Sequence, residues 1–180
     1  MKMYGWTGRI LRVDLTTGKI EETPTSDYVP KFIGGRGVAA MIYWEEVPPE
    51  CRAFDPENAL IMMTGPANGT LSPSASRFTV AHKSPVPLHE TYTYSVPGGH
   101  WSAELKFAGY DGLVVRGKSA KPVYLWIDDG KVELRSAELL WGMTLSQLTL
   151  AVEKLHGWQA RVLGIGPAGE NLCRQAPAIV

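Results

Sequence analysis

The order hairpin, helix, apolar strand, Gly-Pro-Ala runs through this sequence twice, and that recurrence constrains the fold more than any single motif. The first hairpin spans Arg9 to Glu22. Its Leu11, Val13 and Leu15 alternate with Arg12 and Asp14, the period-2 pattern of a half-buried strand, and Thr16-Thr17-Gly18-Lys19 supplies the turn. The second hairpin runs from Val123 to Ile127, turns at Asp128-Asp129-Gly130-Lys131 and returns through Val132 to Arg135. Gly130-Lys131 follows Gly18-Lys19 by 112 positions, and Gly166-Pro167-Ala168 follows Gly65-Pro66-Ala67 by 101. A helix from about Val38 to Glu46 matches one beginning at Leu145. The spacings differ, so coincidence stands beside duplication as an explanation. Taken as duplication, the pattern predicts an α+β fold of two hairpin–helix–strand units related by an approximate two-fold.

The remaining elements follow from local signals. Ala59 to Met63 is a continuous apolar run of strand length, suited to burial on both faces, and Gly65-Pro66 ends it. Arg77 to Ala81 reads as a strand, and Tyr92 and Tyr94 mark a short one. Gly98-Gly99 precedes a helix from Trp101 to Ala108, whose Trp101, Leu105 and Ala108 share a face before Gly109 ends it. A strand follows from Gly112 to Arg116. Thr144 and Gln147 have capping-box spacing; Leu145, Leu148, Val152 and Leu155 then follow helical period up to Gly157. Ala160 to Ile165 reads as the last strand.

Lys plus Arg equals Asp plus Glu, 18 each, so no global charge points to nucleic acid or to a membrane surface. No run of about 18 apolar residues or secretory leader is legible, which points to a cytoplasmic protein. Cys51 and Cys173 are the two cysteines and form no C-x-x-C pair. They offer ligands for neither zinc nor an iron–sulfur cluster, and a disulfide is not expected.

Each candidate motif has a structural reading beside a functional one. Gly164-Ile165-Gly166-Pro167-Ala168-Gly169 satisfies G-x-G-x-x-G, but the dinucleotide fingerprint needs an acidic residue about 20 positions further on, so a turn closing a strand is the better reading. Gly35-Arg36-Gly37 reads first as a flexible helix start, with close backbone approach to a ligand as the alternative. Gly98-Gly99 before a helix is either an anion site at unpaired N–H groups or a tight turn. Arg77 is either a strand-end surface arginine or a guanidinium that grips a phosphate or the edge of a planar heterocycle. Glu104 suits a satisfied structural carboxylate better than a general acid. The four histidines show no ligand spacing; His156 is expected to cap its helix, and only His100 lies near a candidate site.

Taken in order, Trp6 to Gly18, Gly34-Gly35-Arg36-Gly37, Gly65-Pro66, Arg77, Lys83-Ser84-Pro85, Gly98-Gly99, Ala103 to Asp111, Gly117-Lys118, Trp141-Gly142 and Ile165 to Asn171 resemble the start of the aldehyde ferredoxin oxidoreductase family. The A-E-L-K-F-A-G-Y-D and I-G-P-A-G-E-N runs are the specific part. The resemblance covers nearly all of residues 1–180 and implies an amino-terminal domain that forms a base under two pyranopterins. Its implied cofactors are a tungstopterin or molybdopterin, a magnesium ion bridging the pterin phosphates, and a 4Fe-4S cluster in the complete enzyme with no ligands in this chain. The implied reaction is ferredoxin-dependent oxidation of aldehydes to carboxylic acids, with the tungsten subunit of an aromatic-ring (aryl-CoA) reductase or a non-catalytic assembly module as alternatives.

By this resemblance Arg77 matches an arginine that contacts one pterin, and Gly98, with Gly99 beside it, belongs to the pterin-binding segment. Val96 falls where the family often has Asn, in a stretch two residues longer than the family pattern; its backbone carbonyl takes the magnesium-facing place. No residue here matches a catalytic or metal ligand of the family. The implied partners are the remainder of the enzyme and ferredoxin. The second unit is expected to be truncated, to lack a counterpart of the Gly98 site and to leave a sheet edge open to homo-oligomer formation. The chain alone is expected to be inactive.

Overall fold

A computed structural model describes residues 4–29 and 31–180. The start of the Trp6 to Gly18 run and the first hairpin fall within these residues. The chain opens with β1 (Arg9–Asp14) and β2 (Lys19–Pro24), then α1 (Arg36–Glu46), β3 (Ala59–Met63), β4 (Thr79–Ser84), β5 (Thr91–Ser95), α2 (Trp101–Phe107) and β6 (Gly112–Arg116). It continues with β7 (Val123–Asp128), β8 (Lys131–Ser136), α3 (Leu145–His156) and a short α4 (Gly166–Glu170). The fold is mixed α+β, as expected.

Six strands form one sheet in the order β2-β1-β6-β3-β4-β5, while β7 and β8 make a separate two-stranded sheet. Within the large sheet β1 and β6 are parallel, and the other pairs are antiparallel. Alternation along each strand divides the side chains between two cores. Ile10, Ala59, Ile61, Met63, Ala81 and Val114 face α1, where Val38, Ala39 and Ile42 pack on them. Leu11, Val13, Met62, Val80 and Leu113 face the other way, against Leu105 of α2 and Leu125, Ile127, Val132 and Leu134 of the second hairpin. The pleat therefore buries both faces of β1 around Ile10 and Leu11, where alternation alone predicts one buried face. The reason is position: β1 lies inside the sheet, and both sheet faces are covered.

Outside the second hairpin, α3 packs through Leu148, Ala151 and Val152 against Tyr124. Its capping box is formed, with Gln147 N–H donating to Thr144 Oγ1 and Thr144 N–H donating to Gln147 Oε1. Leu155, placed on the buried stripe by period, is 63% exposed. His156 does not cap α3. Its ring stacks on Trp126 with centroids 3.8 Å apart, and Nε2 lies 3.0 Å from the Tyr124 hydroxyl. Burial, and next the Arg135 charge, lower its pKa.

Two other expectations are corrected. The strand predicted over Arg77–Ala81 begins at Thr79, because the Arg77 carbonyl is taken by Asn68 and the Phe78 N–H by the Pro97 carbonyl. The strand predicted over Ala160–Ile165 is not formed. No described strand lies beside it, so it makes a single bridge, Gly164 to Ile179, and is held by Val162 and Leu163 side chains. The repeated order is therefore met at the hairpin and the helix, and not at the strand. The two hairpins also differ in setting: β1–β2 joins the large sheet and β7–β8 does not, although both contribute to the same core cluster.

One buried polar cluster ties the sheet to its loops. The Asp111 carboxylate, wholly buried, accepts from Thr7 and Gly8 N–H, the Thr25 hydroxyl and the Lys106 ammonium at 2.6–2.8 Å. Lys106 also donates to the Gly5 carbonyl at 2.6 Å and lies over the Trp6 ring. The Asp111 backbone donates to Arg9 O and accepts from both Thr64 N–H and the Thr64 hydroxyl. Next along the chain, Gly112 lets β6 approach β3, since a Cβ there would sit 2.1 Å from Met63 Sδ.

Burial alone would raise the Asp111 carboxyl; the Lys106, Thr25 and Thr7 contacts outweigh it and hold it below the usual carboxylate range. Such a group stabilises the fold fully above its unfolded pKa of about 3.9, and that stability is lost as pH falls through the folded value. Asp111→Ala is expected to cost about 3–5 kcal/mol in denaturant unfolding at neutral pH, because the Lys106 charge is left buried and unpaired. The difference from the parent protein should shrink below about pH 4.

Candidate cofactor-binding site

The residues singled out by sequence lie at one end of the large sheet, where β3 ends and β4 begins. The segment 64–70 turns there and is fastened by Asn68, a buried side chain. Its Oδ1 accepts from Gly65 N–H, and its Nδ2 donates to Arg77 O and to Ser102 Oγ, each at 3.0 Å. Ser102, on the first turn of α2, donates in turn to Ser76 O at 2.7 Å. The backbone on either side of Arg77 is thus clamped between a turn and a helix, while its guanidinium is left exposed.

That guanidinium reaches the Val96 carbonyl, with Nη1 donating at 3.4 Å. Phe78 N–H donates to Pro97 O, and the Phe78 ring lies 4.9 Å from Trp101. These contacts fix 96–97 beside Arg77. Gly98 and Gly99 follow on the way into α2. A Cβ on Gly98 would meet nothing within 4 Å, so the surface is open there. Gly99 has φ +96°, a conformation that favours glycine. The structure therefore brings Arg77, Val96, Gly98 and Gly99 together as one rim.

Other candidates lie elsewhere or act differently. His100 stands at the start of α2 without a side-chain capping bond. Glu104 is exposed and makes no side-chain hydrogen bond among the described residues, so the structural-carboxylate reading is not met. Gly166 to Gly169, the last four residues of the G-x-G-x-x-G run, open the five-residue α4 (Gly166–Glu170), and no described strand leads directly into it. Cys51 is buried and Cys173 exposed, both as free thiols. Among the described residues no three His, Cys, Asp or Glu side chains gather as a metal site, and no helix is long and apolar enough to cross a membrane.

Asn68, Ser102 and the Lys106–Asp111 pair hold this region but do not stand out in the sequence. Asn68 and Ser102 are ordinary residues in loop and helix, and nothing in spacing distinguishes them. Lys106 and Asp111 both lie in the A-E-L-K-F-A-G-Y-D run, so their signal was present. It is obscured because the partner of Lys106 lies five residues on, past the end of α2 and outside the i,i+3 and i,i+4 spacing of helical ion pairs.

With this geometry in place, the matches to known proteins fall on the whole chain. The family model described as aldehyde ferredoxin oxidoreductase, N-terminal domain, matches residues 10–180. The tungsten-containing aldehyde ferredoxin oxidoreductase of Pyrococcus furiosus is 42% identical over 176 residues, covering 97% of this chain and 29% of that protein. The aliphatic sulfonate oxidoreductase WOR-like subunit of the same organism is 37% identical over 191 residues, covering 97% and 30%. Among solved structures, the active-site complex BamBC of benzoyl coenzyme A reductase with 1,5-dienoyl-CoA matches with a TM-score of 0.89 at 42% identity, over 93% of this chain and 26% of that one. The chain thus spans under a third of the length of these relatives. By sequence and by fold it belongs to the aldehyde ferredoxin oxidoreductase family, as that family's N-terminal domain.

Proposed function

We propose that this domain seats one pterin of a tungsten (or molybdenum) pterin cofactor in a larger oxidoreductase, most simply one that oxidises aldehydes to carboxylic acids with ferredoxin as electron acceptor. The observation that carries the reading is the exposed Arg77 guanidinium, tied to the Val96 carbonyl beside the open backbone of Gly98. The residues fit such a group. Arg77 spends one long hydrogen bond on Val96 and keeps further N–H donors for a phosphate or a heterocycle edge. The Val96 carbonyl retains a second lone pair for a magnesium ion at the pterin phosphates. A side chain at Gly98 would stand in the space that a ligand needs.

The cofactor, when bound, supplies the redox chemistry. The chain's own part is to hold and orient: Asn68 and Ser102 set the Arg77 backbone, Arg77 binds anionic or acceptor atoms, and 96–99 presents open backbone. Cluster ligands and substrate contacts belong to the rest of the enzyme, in a cytoplasmic setting. A second reading, the tungsten subunit of an aryl-CoA reductase, is favoured by the likeness to the benzoyl coenzyme A reductase complex.

Three outcomes are expected. Asn68→Ala should destabilise the protein by about 1–3 kcal/mol, read from the denaturant midpoint, since it removes the bonds to Gly65 N–H, Arg77 O and the buried Ser102 hydroxyl at once. Elemental analysis of the 180-residue chain should find far less than the roughly four iron atoms per protein that a 4Fe-4S cluster brings. In the complete enzyme Arg77→Ala should lower pterin content more than Arg9→Ala. A charged hydrogen bond to the ligand is worth about 1.5–3 kcal/mol, whereas an exposed pair such as Arg9–Glu22 is worth under about 1 kcal/mol. Equal pterin content in the two variants would refute the seat.

A further inference from the structure

We propose that Arg36 is a second cationic contact of the same seat, held in place by Tyr94, and that it binds the phosphate end of the ligand together with Arg77. The inference rests on the reading of the seat given above. Arg36 opens α1, and its Nη1 donates to the Tyr94 hydroxyl at 2.6 Å while the guanidinium carbon lies 4.9 Å from that ring's centre. Tyr94 stands on β5, two residues before Val96, the residue whose carbonyl Arg77 reaches. The loop before Arg36 is tied to the same end of the sheet. Gly35 N–H donates to Thr64 O, and a Cβ on Gly35 would lie 3.5 Å from Thr79 Oγ1, two residues after Arg77. Arg36 therefore reaches Tyr94 within β5, and Arg77 reaches the Val96 carbonyl just past its end.

The charge at this rim is uncompensated. Segments 32–38, 64–70, 74–79 and 94–100 meet there and contain no Asp or Glu. Arginines on the body of the fold are paired: Arg9 with Glu22, Arg12 and Arg116 with Glu46, and Arg135 with Glu133. Arg36 and Arg77 pair with no carboxylate among the described residues. Arg52, Arg161 and Arg174 share that property, but Arg161 and Arg174 donate to the carbonyls of Trp158 and Pro85, and Arg52 lies in the loop after α1, away from the rim. Two guanidiniums left without acids on one open rim mark a place for an anion. Tyr94 acts on Arg36 as a positioning residue: a ring under the guanidinium and a bond to one nitrogen leave the remaining donors of the planar fork pointing elsewhere.

The test compares Arg36→Ala, Tyr94→Phe, Arg77→Ala and the parent in the complete enzyme. It reads tungsten by elemental analysis and pterin by fluorescence after oxidation, before and after prolonged dialysis. The inference expects Arg36→Ala to lose cofactor on the order of tenfold faster than the parent, the effect of removing one charge-assisted hydrogen bond, with Tyr94→Phe in between. Melting of the cofactor-free proteins separates folding from binding, and Arg36→Gln, which keeps the stem without the charge, gives the same comparison if the alanine variant folds poorly. Loss from Arg77→Ala with full retention in Arg36→Ala and Arg36→Gln overturns the role of Arg36 and leaves the seat standing. Full retention in all variants overturns both.

Discussion

The contact on which the rest of the domain depends is the buried pair of Lys106 and Asp111. A carboxylate with no exposure is tolerable only when its oxygens are satisfied, and here four donors from three separate segments do so. Those segments are the entry to β1, the turn after β2 and the end of α2. The pair therefore sets the register between the chain start and β6, which run parallel and have no short connection to align them. Its backbone then fixes Thr64, and Thr64 accepts the Gly35 amide. Two backbone hydrogen bonds, by way of Thr64, lead from Asp111 to the glycine loop before α1.

From the same helix a second set of bonds runs to the rim. Ser102 and Asn68 hold the backbone of Ser76 and Arg77, so α2 is anchored at one end by a charge pair and at the other by neutral hydrogen bonds. The arrangement keeps the polar work of the domain on two levels. The bonded groups of the Asp111 and Asn68 clusters lie inside and determine geometry; Arg36 and Arg77 lie outside, each with donors beyond its one bond. A loop rim carried by a six-stranded sheet packed on both faces has the rigidity that ligand positioning requires.

Much of the architecture was legible because it is written in local periods. The apolar run at Ala59 to Met63, the Asp129-Gly130 turn and the Thr144–Gln147 box each formed as their residues dictate. What local pattern could not supply is the identity of neighbours. Arg77 and Phe78 have strand-forming character, yet loops take their hydrogen bonds. Residues 160–165 have it too, but a strand exists only where a partner strand lies beside it. His156 shows the same limit for a side chain: placed at a helix end it suits a cap, while an aromatic pair on a distant hairpin offers a drier and better fitted site. At the rim, Arg77 and Gly98 stood out by residue type, whereas the Arg36–Tyr94 pair spans 58 positions and required the fold.

The central claim is that this end of the sheet holds a pterin cofactor. An experimental structure of the complete enzyme loaded with tungsten tests it most directly. The account predicts a pterin phosphate or ring edge within about 2.9 Å of an Arg77 nitrogen, with the ligand lying against Gly98. A cofactor seated elsewhere, with Arg77 turned to solvent and the Gly98 surface bare, would contradict it.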